Sequence, residues 1–337
     1  MNRILLVKLG PIGDVVMTTP VIAAAAQLLP GSQVTWLVTA SLAPLLARLR
    51  PAPELITVDD AALWRGSTWQ RLRLLATLRR RLAGRHFDLG LFGHANRRLR
   101  PLVWGLAVDR WRSFGAGASR PHPLPGRRHH DEHVRLLTGL DGPDAPRAAY
   151  PEIELRPPPA GLPPAPLVAL VPGGARNPLR EDRLRRWPVG HYAALARLLV
   201  ARGVSVVLAG GPDDAWVRPA FAGIATTDLL GRTTVDGALD LFAACTAVVA
   251  HDSGPMHLAD LAGAPVVALF GPTSPHEKAP IGPRARVLWG GERLPCRPCY
   301  DGLAYADCAR NRCLEEVTPE AVLAATLAIA SPTDLAP

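Results

Sequence analysis

The stretch HDSGPMHLADLAG, residues 251–263, lies between an apolar run ending at Ala250 and a second run, PVVALF, at 265–270. Strand, polar turn, short helix and strand is the simplest reading of that order. Ser253 and Gly254 then open a helix whose first amides have no partner inside it, so the turn is a socket for a phosphate. His257, one turn into the helix, can reach the same anion. The plainer alternative is that Asp252 or Ser253 caps the helix and Gly254 lets the chain turn.

Outward from this point the alternation continues. LVALVPGG, VSVVLAGG, TAVVAHD and PVVALFGPT read as strands of the second half, with HYAALARLLVARG and DGALDLFAAC as helices. In the first half ILLVKLG, SQVTWLVT, LITVDD and FDLGLFG read as strands, separated by helical segments such as PVIAAAAQLLP and STWQRLRLLATLRRRLAG. Such alternation implies α/β architecture with parallel, doubly wound sheets. Residues 154–166, ELRPPPAGLPPAP, hold too many prolines for a helix or a central strand. They read as a linker between a domain at 1–153 and another at 167–337, with the last helix free to pack back on the first domain. The glycine- and acid-bearing turns at 173–174, 210–214, 252–254 and 271 end the second-half strands. Ligands sit beyond such strand ends, so a binding cleft facing the first domain is the economical expectation.

The 337 residues carry 38 Lys and Arg against 29 Asp and Glu, a net charge of +9, and Lys8 and Lys278 are the only lysines. Arginine suits bidentate recognition of phosphate or carboxylate. No run of about 20 apolar residues is present to span a bilayer, and ILLVKLG is not a secretory signal, so a cytoplasmic location is expected. Aromatic content of 5% and the absence of a nucleic-acid motif argue against a nucleic-acid partner. Residues 97–128 are arginine-rich with few regular periods. They read either as a recognition loop, with Arg97, Arg98 and Arg120 facing an anionic acceptor, or as a solvated basic surface.

Near the start, LGPIGDVVMTTP, residues 9–20, brackets a turn with Gly10 and Gly13 and places Asp14 at the head of a helix. A carboxylate there can simply favour the helix dipole. A phosphate loop would avoid the charge, so Asp14 points to a general base or to a partner for a substrate hydroxyl. Cys296, Cys299, Cys308 and Cys313 have a spacing that suits structural zinc or iron, or else are free thiols or a redox pair. Four thiolates leave no open position, so such a metal would not be catalytic. HHDEH at 129–133 reads as flexible surface histidines. Trp187 with Pro188 is expected to start a helix and to pack between domains.

Taken in order, LGPIGDVVMTTP, RRWP at 185–188, HDSGPMHLADLAGAPVVALFGPTSP and the cysteine-rich segment resemble glycosyltransferase family 9, best known for ADP-heptose:lipopolysaccharide heptosyltransferases. The resemblance implies a GT-B fold, two Rossmann-like doubly wound domains facing a central cleft. It also implies inverting transfer of a heptose or related sugar, without a catalytic cofactor, from a nucleoside-diphosphate sugar, ADP-heptose, to a lipopolysaccharide core or similar phosphorylated glycan. By position, Asp14 resembles the family's catalytic base. Arg185 stands where lysine is usual, on the donor phosphates, and Asp252, Ser253, Gly254 and His257 correspond to the diphosphate and sugar turn. Asp214 matches an acid on the ribose hydroxyls, and Thr233 falls near the adenine. The partners expected are the nucleotide-sugar donor and an anionic glycolipid acceptor, met peripherally at the inner face of the cytoplasmic membrane. A family-9-type enzyme with another sugar and acceptor is the main alternative, and a basic nucleic-acid-binding protein or a nicotinamide oxidoreductase are the others.

Overall fold

The computed structural model describes residues 2–94, 97–114, 126–140, 145–177, 180–301 and 304–330. The chain forms two compact units, Met1–Glu154 and Leu155–Pro337. The first contains β1 (Arg3–Val7), α1 (Ile12–Val16), α2 (Pro20–Leu28), β2 (Gln33–Thr39), α3 (Ala43–Leu46), β3 (Leu49–Arg50), β4 (Glu54–Val58), α4 (Asp60–Trp64), α5 (Thr68–Leu82), β5 (His86–Phe92), β6 (Ala107–Ser113), α6 (His129–Thr138) and β7 (Glu152–Ile153). Its five-stranded sheet has the order β4-β2-β1-β5-β6, all parallel, while β3 and β7 pair antiparallel.

β1 is central, and Ile4 to Val7 are fully buried, as an unbroken apolar strand in a sheet covered on both faces should be. The chain leaves β1 toward β2 on one side and leaves β5 toward β6 on the other. The loops after β1 and β5 therefore part company at adjacent strand ends, which opens a crevice at the carboxyl edge.

The second unit contains β8 (Leu167–Val171), β9 (Arg176–Asn177), β10 (Arg180–Glu181), α7 (Val189–Val200), β11 (Ser205–Leu208), β12 (Thr227–Asp228), α8 (Val235–Ala243), β13 (Ala247–His251), α9 (Gly254–Leu261), β14 (Val266–Phe270), α10 (Pro275–Lys278), β15 (Ala285–Trp289), α11 (Arg312–Glu315) and α12 (Pro319–Ile329). Its six parallel strands run β12-β11-β8-β13-β14-β15. The reversal of direction here falls between β8 and β13, and the 251–263 stretch leads out of β13 at that point. No helix of the described residues is long and apolar enough to cross a membrane.

Several expectations need correction. HHDEH is not a mobile surface tract: it opens α6, and His130, Glu132 and His133 are buried. The His133 ring packs edge-on against Phe114 at 5.2 Å, and His130 Nε2 lies 3.1 Å from the Tyr150 hydroxyl. Burial, with Lys8 and neighbouring histidines behind it, pushes His133 well below the usual imidazole range. The arginine-rich stretch also contains regular structure, a 3-10 turn at Arg97–Leu102 and the edge strand β6. Its charged side chains hide the alternation, as is usual at a sheet edge. Gly90 makes room for this strand, since a Cβ there would meet the Trp111 ring at 2.5 Å.

Trp187 does not sit at a domain boundary. It lies in the core of the second unit, with its indole N–H donating to the Val317 carbonyl at 2.7 Å and its ring against Tyr192. α12, left free by the sequence to return to the first unit, packs on α7, β14 and β15 of its own.

Candidate functional site

In the second unit the polar turn after β13 begins with a buried carboxylate. Asp252 Oδ2 accepts from the Thr273 hydroxyl at 2.8 Å and stands 3.5 Å from Arg185 Nη1. Burial by itself would raise its pKa, but Arg185, Lys278 and His257 overcome that and hold the carboxyl at about 2. The carboxylate is thus ionised and engaged sideways, so it does not cap α9. Nor does Ser253, whose hydroxyl donates to the His251 carbonyl at 3.0 Å, and α9 has no side-chain cap. The helix-cap alternative fails on this geometry. The first turn of α9 keeps its partial positive charge for a ligand. His257 is buried in the same helix, one turn in.

Arg185 is anchored twice, to Asp252 and to Asp182 Oδ2 at 3.3 Å. Opposite α9 runs the loop after β8, where Gly174 has φ +80° and Ala175 has φ +51°. The left-handed conformation strains an alanine by roughly 1–2 kcal/mol, and such strain gathers at ligand loops. Arg186, which sequence reasoning passed over, clamps this loop: its Nε and Nη2 donate to the Gly174 carbonyl at 3.0 and 2.8 Å, and Nη2 pairs with Glu181 at 2.8 Å. His251 lies under the turn. Burial first, then Arg185 and Arg186, lowers its pKa to about 3, so it remains neutral.

Asp214, the acid expected on the ribose, holds backbone amides. It is buried, with Oδ1 accepting from the Gly174 amide and Oδ2 from the Gly211 amide, both at 2.8 Å. The carboxylate ties the loops after β8 and β11 together, and Gly173 and Gly210 are glycines because it fills their side-chain space. Thr233 is half-buried in the turn before α8, next to Thr234, which caps that helix. Lys278, also missed from sequence, stands with Nζ 4.4 Å from the Tyr300 ring centroid, and its charge reaches Asp252. Its signal was its rarity, as one of two lysines in an arginine-rich chain.

In the first unit, Asp14 lies in the first turn of α1, after the β1 strand end, with its side chain 47% exposed. Lys8 approaches it at 3.5 Å and donates to the Gly93 carbonyl at 3.1 Å, which ties the β1 and β5 loops together. Gly10 has φ +116°, a conformation that suits glycine and lets the chain turn between strand and helix. His94 Nε2 accepts from the Leu9 amide at 2.8 Å, and burial together with Lys8 lowers its pKa to about 3. The base candidate is therefore solvent-accessible and hydrogen-bonded into a fixed loop. Arg98 is exposed on the 3-10 turn, and Arg97 belongs to the same turn by its backbone. Arg120 lies outside the described residues.

All four clustered cysteines line one cavity of about 130 Å³. No three of their sulfurs lie within 4.8 Å of one another. Cys308 donates to the Arg310 carbonyl and Cys313 to Asn311 Oδ1, and burial pushes the Cys313 thiol up to about 11.

Two parallel α/β units, one with a carboxylate at the head of a helix and one with an uncapped helix beside an anchored arginine, give the chain the architecture of the GT-B class. Residues 161–308 match the model of glycosyltransferase family 9 (heptosyltransferase). Lipopolysaccharide heptosyltransferase 1 of Pseudomonas aeruginosa is 29% identical over 313 residues, 88% of this chain and 86% of that protein. Lipooligosaccharide heptosyltransferase 2 of Haemophilus influenzae is 35% identical over 167 residues, where this chain spans about half, 45%, of that relative's length and 47% of its own is aligned. The structure of Escherichia coli ADP-heptose lps heptosyltransferase II superposes with a TM-score of 0.72 at 22% identity, covering 98% of each chain.

Proposed function

We propose that this chain is an inverting heptosyltransferase that moves a heptose from ADP-heptose to a lipopolysaccharide core or similar phosphorylated glycan. The observation that carries the reading is the turn at Asp252 and Ser253. Its hydroxyl and carboxylate both face away from the head of α9, and Arg185 is fixed beside it. As the glycosidic bond breaks, the leaving diphosphate gains negative charge. The α9 amides at Ser253 and Gly254, together with Arg185, stabilise that charge in the role a divalent ion fills elsewhere. His257 binds at the same turn. Asp14 takes the proton of the acceptor hydroxyl as its oxygen attacks the anomeric carbon, and Lys8, 3.5 Å away, helps hold the carboxylate in place. Asp214 serves the donor indirectly by fixing the two loops, and Thr233 borders the adenine.

The acceptor is an anionic glycolipid, with Arg97, Arg98 and Arg120 contributing charge, and the enzyme works peripherally at the inner face of the cytoplasmic membrane. Cys296, Cys299, Cys308 and Cys313 take no part in the transfer. Zinc or iron on these thiols would be structural and would require the sulfurs to close from their present separations. Thermal-shift titration against ADP-, GDP- and UDP-sugars tests the donor assignment, because a ligand that binds the native state raises its melting temperature. ADP-heptose gives the largest rise, and a larger rise with a UDP- or GDP-sugar overturns the assignment.

A further inference from the structure

α5 presents an unusual outer face. Leu78 and Leu82 enter the first unit's core, with Leu74 and Leu75 packed against it. Trp69, Leu72, Arg73, Ala76 and Arg80, at steps of three and four, lie on the other side and are exposed. Trp69 is 82% exposed, and Trp104, two residues past the 3-10 turn at Arg97–Leu102 that α5 packs against, is 80% exposed. Arg79 joins the two pieces, with Nη2 donating to the Pro101 carbonyl at 3.2 Å and its guanidinium against Gly105.

The helix carries five arginines and no acid in 15 residues. Among the described residues those arginines form no ion pair, and the hydrogen bonds they make go to Pro101 and Thr57. Two tryptophans about four-fifths exposed cost hydrophobic free energy that a folded surface normally avoids. An apolar strip flanked by arginines whose stems can lie along it and whose heads reach outward is the pattern of a helix lying in a membrane interface.

We infer that α5 and Trp104 form the surface by which this chain docks on an anionic lipid bilayer. Trp69, Leu72 and Trp104 enter the headgroup boundary, while Arg73 and Arg80 meet lipid phosphates. The inference rests on the proposed glycolipid acceptor, and it places lipid docking on α5 together with Trp104. It also gives the exposed tryptophans a role that transfer chemistry does not.

Flotation of the full chain with vesicles of phosphatidylethanolamine and phosphatidylglycerol, and separately with phosphatidylcholine, tests this. The chain floats with the anionic vesicles and stays behind with the neutral ones. Trp69→Glu with Leu72→Glu, and independently Arg73→Glu with Arg80→Glu, each lower anionic-vesicle binding at least about tenfold. Both variants keep the melting temperature and the transfer rate to a deacylated, water-soluble acceptor. Wild-type flotation retained by both variants, flotation equal on the two lipids, or a solution dimer that the Trp69→Glu, Leu72→Glu variant dissociates would each overturn the inference. Absence of transfer with flotation intact removes the enzymatic reading instead and leaves the docking surface standing.

Discussion

Arg185 Nη1 stands 3.5 Å from Asp252 Oδ2, a carboxylate buried beneath the head of α9. Each charge positions the other: the acid holds the guanidinium near the helix start, and the guanidinium offsets the cost of burying the acid. Arg185→Ala is expected to weaken ADP binding roughly 10- to 100-fold, the loss of a charge-assisted contact of about 1.5–3 kcal/mol. Arg185→Lys recovers the charge but not the planar fork, so its affinity falls between the two. Calorimetric titration with ADP reads both, and unchanged affinity in the alanine variant removes Arg185 from the donor site.

Asp214 is expected to act on the donor through the backbone it holds. Asp214→Ala leaves the Gly174 and Gly211 amides without their acceptor and opens a void beside Gly173, at a cost of about 2–3 kcal/mol in the stability of the second unit. Gly173→Ala reaches the same loop from the other side, because a Cβ would lie 2.2 Å from the Asp214 carboxyl carbon. Both variants should lower the urea midpoint and ADP affinity together. A variant with lost affinity and an unchanged midpoint would return Asp214 to direct ribose contact.

Asp14→Asn is expected to lower kcat about 10²- to 10⁴-fold, the range for a positioned base, while ADP affinity stays nearly intact. The isosteric amide keeps the loop but cannot take a proton. Equal loss of turnover and of ADP binding would show that Asp14 supports the fold and not the proton transfer.

Acid sensitivity follows from the buried histidines. His94 in the first unit and His251 in the second titrate near 3 when folded, whereas an unfolded histidine takes up its proton near 6.5. Between those values the unfolded chain binds more protons, so stability falls as pH drops from about 6.5 to about 3, by about 1.4 kcal/mol per pH unit for each histidine. Asp252, held at about 2 against an unfolded value near 3.9, continues the loss from about pH 4 to pH 2. Urea midpoints measured from pH 7 to pH 5 should decline, and a flat profile over that interval would mean the two rings are protonated in the native state.

Parallel alternation was legible because buried strands such as ILLV and VVALF are apolar throughout and end in glycine or acid. The edge strand β6 was not, since half its residues face water and its Arg110 and Arg112 break the pattern. α6 was obscured for another reason. Histidine and glutamate carry no hydrophobic signal, yet His130 is buried against the Tyr150 ring, and Glu132 is buried with Arg135 2.9 Å away. Asp252, Ser253 and Asp14 were found because each follows a strand end, where sequence order and spatial position coincide.

Sequence alone determined the resemblance to glycosyltransferase family 9, the parallel α/β architecture and the turns that carry polar groups, because these follow from local periodicity and from motifs in fixed order. Tertiary structure decided how those groups are used. It turned Asp214 toward two backbone amides, left α9 uncapped by rotating Ser253 onto the His251 carbonyl, and left two tryptophans of the first unit exposed. The physical reason is that hydrogen-bond partners and burial are set by residues far apart in the chain, which meet only when the sheets have formed.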